Sequence, residues 1–192
     1  MVAPGTYSVS MALLEGGRLT PVGQIQRFEV KALGGGALEG ATPAEVAAFQ
    51  QELASVAREV SAHGARVSEL LERCEAMASV LRRTPGAAEE LRFAVHGLHG
   101  RLTDLRHRLT GDPRQGTMNE QGPVSIDTRM SHADLGVKFS TYGPTPSHRE
   151  SLRIAREAAA EVGAALARIR AEEMPRLDAA LEAAGAPWTP GR

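Results

Sequence analysis

A single cysteine, Cys74, rules out an internal disulfide framework and any multi-cysteine zinc module. Aromatic residues make up only 4% of the 192, so there is little on which nucleic-acid bases would stack. No apolar run approaches the roughly eighteen residues of a membrane-crossing helix. Charge of one sign is missing too: the formal net charge is −1, which argues against a general binder of polyanions. The opening Met1-Val2-Ala3-Pro4-Gly5 lacks the basic and apolar regions of a signal peptide, so this stretch is not expected to direct export. Neither a glycine-rich phosphate loop nor a nucleophile elbow is present. What abounds is helix-forming: 31 alanines and 20 arginines, against two lysines. With 42% apolar residues the chain can bury a core for one large or two small domains.

Residues 1–33 read as a β-hairpin. Tyr7, Val9, Met11 and Leu13 alternate with Thr6, Ser8, Ser10 and Ala12, the period of a half-buried strand. Glu15-Gly16-Gly17-Arg18 supplies the turn. The return segment, Gln24 to Lys31, carries Phe28 and Val30 on one face after an irregular start at Pro21 and Gly23. A lone hairpin is marginal in water and leaves its apolar face bare. It is therefore expected to be the remnant of a β-sandwich whose other strands lie outside this sequence. Residues 34–41, with Gly34-Gly35-Gly36 and Gly40, form a flexible linker.

Residues 42–192 read as a helical bundle. Thr42-Pro43-Ala44-Glu45 is a helix start, with threonine as N-cap, proline first and glutamate closing a capping box. From Val46 through Phe49, Leu53, Val56, Val60, His63, Val67, Leu70, Cys74 and Met77 to Leu81, steps of three and four make a heptad seam. A helix over 43–83 would be close to 60 Å long, at about 1.5 Å per residue. Thr84-Pro85-Gly86 should break it and cap a second helix, 86–110, with a seam of Leu91, Val95, Leu98, Leu102, Leu105 and Leu109. The short break makes the two antiparallel neighbours. A third helix, 146–184, starts at Thr145-Pro146, with Ser147 to Glu150 as a second possible box. Its seam runs Leu152, Ala155, Ala159, Val162, Leu166 and Ile169. Pro175 should then kink or interrupt it before Leu177 and Leu181 resume the stripe. Trp188 is expected to anchor the tail.

The crossover 111–144 is long for a compact domain. The second helix is too short to cover the first, so an ordered crossover, with a short helix near Ser125–Asp134, is expected to fill the uncovered end. The fold class is thus mainly α: a three-helix antiparallel bundle with a long ordered crossover loop, preceded by a β-hairpin. Closure of the three seams inside one molecule should leave no cavity for chemistry.

Candidate chemistry is sparse. His96 and His99 are three apart on a helix, but no third ligand stands on that face, and His107 is about 16 Å further along the axis. No metal and no cofactor is therefore expected. His63 in the seam reads as a packed, hydrogen-bonded core histidine that weakens the bundle in mild acid, and Cys74 as a small buried hydrophobe. The crossover holds the densest polar set, Asn119, Glu120, Asp127, His132 and Asp134. Of these, Asn119, Glu120, His132 and Asp134 are the candidates for a loop site, with His132 and Asp134 as a conceivable acid/base pair. The commoner role for such groups is to satisfy loop backbone. Arg92, Arg101, Arg106 and Arg108 form a basic stretch too short, with only Phe93 to stack, for nucleic-acid binding.

Ala3-Pro4-Gly5-Thr6-Tyr7-Ser8-Val9 resembles the next-to-last strand of an immunoglobulin-like module of bacterial surface proteins. Met118-Asn119-Glu120, Tyr142-Gly143-Pro144-Thr145 and Leu181 to Trp188 resemble the C-terminal end of large bacterial proteins with neuraminidase/sortilin-type repeats, often labelled glycosyl hydrolases. In that family β-propellers precede a small β-sandwich and then a helical bundle. The resemblance implies a chain that ends a longer protein, in the periplasm or outside the cell, without the propeller residues on which a hydrolase label rests. The resulting expectation is a non-catalytic structural or interaction domain, whose partners are upstream domains of the parent chain, another protein or a second copy. Two alternatives stand beside it: an enzyme or ligand-binding module with its site at the 111–144 loop, and a self-assembling helical domain joined through its heptads.

Overall fold

The computed structural model describes residues 2–32, 39–118, 122–140, 142–187 and 189. The Gly34-Gly35-Gly36 run, Asn119, Glu120 and Trp188 lie outside them. The protein is mainly helical, with a two-stranded antiparallel hairpin followed by helices that pack as a bundle.

The hairpin pairs β1 (Gly5–Glu15) with β2 (Arg18–Val30). Gly16 and Gly17 both take positive φ, 57° and 81°, as a two-residue turn matched to strand twist requires. Pairing places Tyr7 opposite Phe28, Val9 opposite Gln26, Met11 opposite Val22 and Leu13 opposite Thr20. Paired residues share a face, so Tyr7, Val9, Met11, Leu13, Val22 and Phe28 lie on one, together with Thr20 and Gln26, while Thr6, Ser8, Arg27 and Glu29 lie on the other with Ala12, Pro21, Leu14 and Leu19. The irregularity expected at Pro21 and Gly23 is a bulge between Val9 and Met11, and β2 begins at Arg18, earlier than Gln24.

The long helix α1 (Pro43–Arg82) has the expected capping box: Thr42 Oγ1 accepts from the Glu45 N–H, and Glu45 accepts from the Thr42 N–H at 2.7 Å. These bonds hold the Glu45 carboxyl below its ordinary range. The seam faces inward from Phe49 to Leu81. Helix α2 (Glu89–Thr110) starts three residues later than Gly86, capped by Ala88 with no side-chain bond. Thr84 does not cap it. Its hydroxyl donates back to the Val80 carbonyl at 3.0 Å, closing the preceding helix. All six seam leucines and valine of α2 are buried against α1.

The crossover is more helical than a loop. It carries a short α3 (Pro113–Met118) and α4 (Ile126–Lys138), the latter capped by Ser125, whose Oγ accepts from the Thr128 N–H. Ile126, Met130, Ala133 and Val137 seat α4 between α1 and α5, at the end of α1 that α2 leaves uncovered. The final segment is interrupted just before Pro175, as one of the two expected outcomes. It comprises α5 (Pro146–Arg168), a five-residue π turn (Ile169–Glu173) and α6 (Met174–Ala183). The π turn advances the apolar stripe by five residues, from Ile169 to Met174, and the Met174 N–H bonds to the Ile169 carbonyl. Gly185, at φ 69°, ends α6, with the Gly185 and Ala186 N–H groups on the Glu182 and Leu181 carbonyls.

Two close approaches fix the start of the bundle. The Ala41 N–H donates to the Tyr142 carbonyl at 2.8 Å, and Gly143, at φ 80°, leaves no room for a Cβ, which would stand 2.7 Å from that of Ala41. The core cluster runs through α1, α2, α4, α5 and α6 and includes no hairpin residue. The expectation of a bundle without hollows needs correction. The seams close, but open grooves of about 560 Å³ between α1 and α2 and about 640 Å³ between α1 and α4 follow their outer edges.

Candidate functional site

The candidate acid/base pair of the crossover does not form. His132 and Asp134 lie two residues apart on α4, which turns them toward different partners. Asp134 forms an ion pair with Lys138, one turn on. His132 Nδ1 lies 3.1 Å from Ser151 Oγ on α5. Asp134 borders the groove between α1 and α4, whose charged lining groups among the described residues are Asp134 and its own partner Lys138. Asn119 and Glu120 lie outside the described residues.

The structure instead brings His132 together with His148, a residue the sequence does not single out. Their rings are 4.9 Å apart between centroids and tilted by 48°. His148 takes the third helical position of α5, where a glutamate or glutamine is usual. Its Nδ1 accepts from the Thr145 N–H at 3.1 Å, while Thr145 Oγ1 accepts from the His148 N–H at 3.4 Å. The box therefore starts at Thr145; Glu150, expected to close one from Ser147, is held by Arg153 instead. Accepting at Nδ1 requires the neutral ring with its proton on Nε2. Burial first, and then the charge of His132, hold the His148 pKa below its ordinary value. Gly136 makes the approach possible, since a Cβ there would stand 2.4 Å from Nδ1. Ser151 and His132 are a hydroxyl–imidazole pair, but no carboxylate orients the ring among the described residues.

No group of three or more metal-ligating side chains occurs among the described residues. His99 pairs loosely with Glu75 of α1, at 3.9 Å, and His107 with Asp112, at 3.8 Å. Cys74 is fully buried, and desolvation raises its thiol to about 11, so it is a neutral hydrophobe rather than a nucleophile. His63 is also buried, but the hydrogen bond expected for it is not made. Glu59 Oε1 stands 3.5 Å from Nε2, and neither ring nitrogen has a hydrogen-bond partner. No described helix is long and apolar enough to cross a membrane.

The largest unresolved chemical demand lies on the hairpin. Val9, Met11, Leu13 and Phe28 are 48%, 67%, 57% and 50% exposed, although they form one apolar face. Among the described residues no helix packs along it. Only its base comes near the bundle, where Val30 and Lys31 share a cleft with Pro43, Val46 and Gly143. β1 is about 36 Å long, from 11 residues at about 3.3 Å each, and the apolar side chains from Tyr7 to Leu13 occupy about 20 Å of it. Exposed apolar side chains gathered on one face mark a candidate docking surface. Among the described residues neither outer strand edge pairs with a further strand, which leaves N–H and C=O groups open to one. At the same end of the bundle, next to Ser140 of that cleft, Phe139 is 82% exposed. Comparison with family models, curated proteins and solved structures gives no match.

Proposed function

We propose that this chain is a non-catalytic structural and interaction domain at the C-terminal end of a larger β-propeller protein. Its hairpin is completed by β-structure from outside these 192 residues. The apolar side chains of Tyr7, Val9, Met11, Leu13, Val22 and Phe28 carry the proposal, because no described element covers them. A two-stranded ribbon with that face in water is marginal. A second sheet layer over the face, with a strand added at an edge, supplies both the apolar cover and the missing backbone partners. This is the arrangement implied by the resemblance of Ala3–Val9 to a late immunoglobulin-like strand. The helical bundle then ends the assembly, and the mechanism is burial of surface, with no bond made or broken.

Self-assembly through the heptads has less support, because the seams of α1, α2 and α5 are buried within one molecule. The enzyme alternative has less support as well, because His132 and Asp134 do not converge.

The test is to read the coding sequence upstream of the Met1 codon and to express the chain with that extension. In-frame β-propeller repeats are expected there. In the extended protein Met11 should resist peroxide oxidation that modifies it rapidly in the 192-residue chain. A stop codon and promoter directly upstream would refute the proposal, as would equal oxidation of Met11 in both proteins.

A further inference from the structure

Strands at the edge of a sheet are guarded by proline, bulges and charged side chains, which keep further strands from pairing there. The two edges of this hairpin differ in all three. Which backbone groups each edge presents follows from the turn. In a two-residue turn the flanking residues, here Glu15 and Arg18, bond to each other, and bonded and non-bonded pairs then alternate along the register. Leu13, Met11, Val9 and Tyr7 therefore bond inward, to Thr20, Val22, Gln26 and Phe28. Thr6, Ser8, Ser10, Ala12 and Leu14 turn their N–H and C=O groups outward from β1. Leu19, Pro21, Arg27 and Glu29 hold the corresponding positions on β2.

The β2 edge is guarded. Pro21 has no N–H to donate there. Gly23, at φ 72°, opens a bulge in which Gly23, Gln24 and Ile25 stand against Ser10 alone. Arg18, Arg27 and Glu29 carry charge along the strand, and Glu29 pairs with Lys31 in the solvent. The β1 edge has none of these guards. From Gly5 to Leu14 it contains no proline and no charged residue, its alternation runs without an inserted residue, and Ser8, Ser10 and Ala12 are small enough to lie beside a neighbour. Pro4 bends the incoming chain, and Tyr7 Oη donates to the Ala3 carbonyl at 2.7 Å, which draws that chain toward the side Tyr7 faces and off the β1 edge.

We infer that the strand completing this sheet pairs along the outer edge of β1, while β2 remains the last strand of the sheet, an assignment that rests on the function proposed above. The occupant is a strand that precedes Met1 in the same polypeptide. It is uncharged, because β1 offers no charged group to pair with one. Every described element after Val30 is helical, so none of them supplies it. A second copy could offer its own β1, but that pairing leaves Tyr7, Val9, Met11 and Leu13 of both copies in water. An upstream strand joined to a second sheet layer meets both needs, and its backbone takes up the outward groups from Thr6 to Leu14.

Hydrogen exchange read at single amides by mass spectrometry tests this, in the 192-residue chain and in the protein extended by its upstream coding sequence. The outward N–H groups of Ser8, Ser10 and Ala12 should exchange roughly a hundredfold more slowly in the extended protein, and those of Leu19, Arg27 and Glu29 at the same rate in both. Two proline variants of the extended protein add a second readout, since Ser8 and Arg27 stand opposite each other. Ser8→Pro removes an outward donor from β1 and should speed peroxide oxidation of Met11 roughly tenfold, whereas Arg27→Pro should leave it within about twofold. The assignment is overturned if the β2 amides slow instead, if neither set slows, or if both prolines act alike. It is also overturned if the β1 amides slow with rising concentration of the 192-residue chain, as pairing with a second copy would cause. Through any of these results a shielded Met11 in the extended protein keeps the proposed cover standing. Equal oxidation of Met11 in both proteins brings down the cover and the edge assignment together.

Discussion

His63 is the polar member of the long seam of α1, and what accommodates it lies on another helix. A Cβ at Gly163 of α5 would stand 2.8 Å from His63 Nε2, so the absence of a side chain there makes room for the ring. Gly163→Ala should therefore destabilise the bundle, although alanine is the better helix former. The strain of overpacking is about 1–3 kcal/mol, against a propensity gain of about 1 kcal/mol. In a His63→Ala background the sign should reverse, with Gly163→Ala then stabilising. Urea melts of the four proteins measure this, and destabilisation of equal size in both backgrounds would disprove the coupling. His148 gives a pH dependence of known sign. Its pKa is lowered on folding, so the unfolded chain takes up the proton more readily. Its contribution is complete above the ordinary value near 6.5 and is lost as pH falls below it, when protonated Nδ1 no longer accepts from Thr145 and a positive ring stands at a helix N-terminus beside His132. His148→Gln keeps an acceptor without a titrating group. It should reduce the acid loss between about pH 8 and about pH 5 by about 0.5–2 kcal/mol, the value of a cap, and an unchanged loss in urea melts would contradict the assignment.

At the scale of elements, what could be read from the sequence divides along a physical line. The helix starts at Thr42 and Ser125 and the inward faces of all three seams were legible, because a cap bond is local and a heptad stripe permits one buried orientation. The start of α2 was not. Thr84 is able to cap forward or bond back, and the choice rests on its tertiary place, where its carbonyl also receives Arg92. The π turn had a signal that a kink at Pro175 conceals. Leu166, Ile169, Met174, Leu177 and Leu181 step by three, five, three and four, and a step of five keeps the stripe facing the core only if one residue is inserted into the turn. Placing it before Pro175 carries Glu173 to Arg101 of α2, while Asp178 of α6 reaches Arg73 of α1, so the end of the chain is tied to both neighbours. The site residues were the least legible. His132 meets Ser151 and His148 only because Gly136 lets α4 lie close to α5, and that approach is tertiary.

The whole molecule is a packed bundle joined to a ribbon it does not cover. Alternation in β1 predicts which side chains share a face but says nothing of what lies over them, since the pattern is the same whichever chain provides the cover. The division has a measurable consequence. The core cluster draws on α1, α2, α4, α5 and α6, with Ala87 between α1 and α2 and Ile169 of the π turn, and on no described hairpin residue; the contact that fixes the start of α1 comes from Ala41 and Tyr142, after the hairpin. Removing residues 1–38 should therefore leave the thermal midpoint of the bundle within about 2 °C of the full chain. Removing residues 1–42 takes away the Thr42 cap and the Ala41–Tyr142 hydrogen bond as well, and the midpoint should then fall by about 2–4 °C for each kcal/mol lost. Calorimetry of the two truncations against the full chain separates the contributions. A large drop already at the first cut would mean that the hairpin is held by the bundle, leaving its apolar face no need of an outside partner.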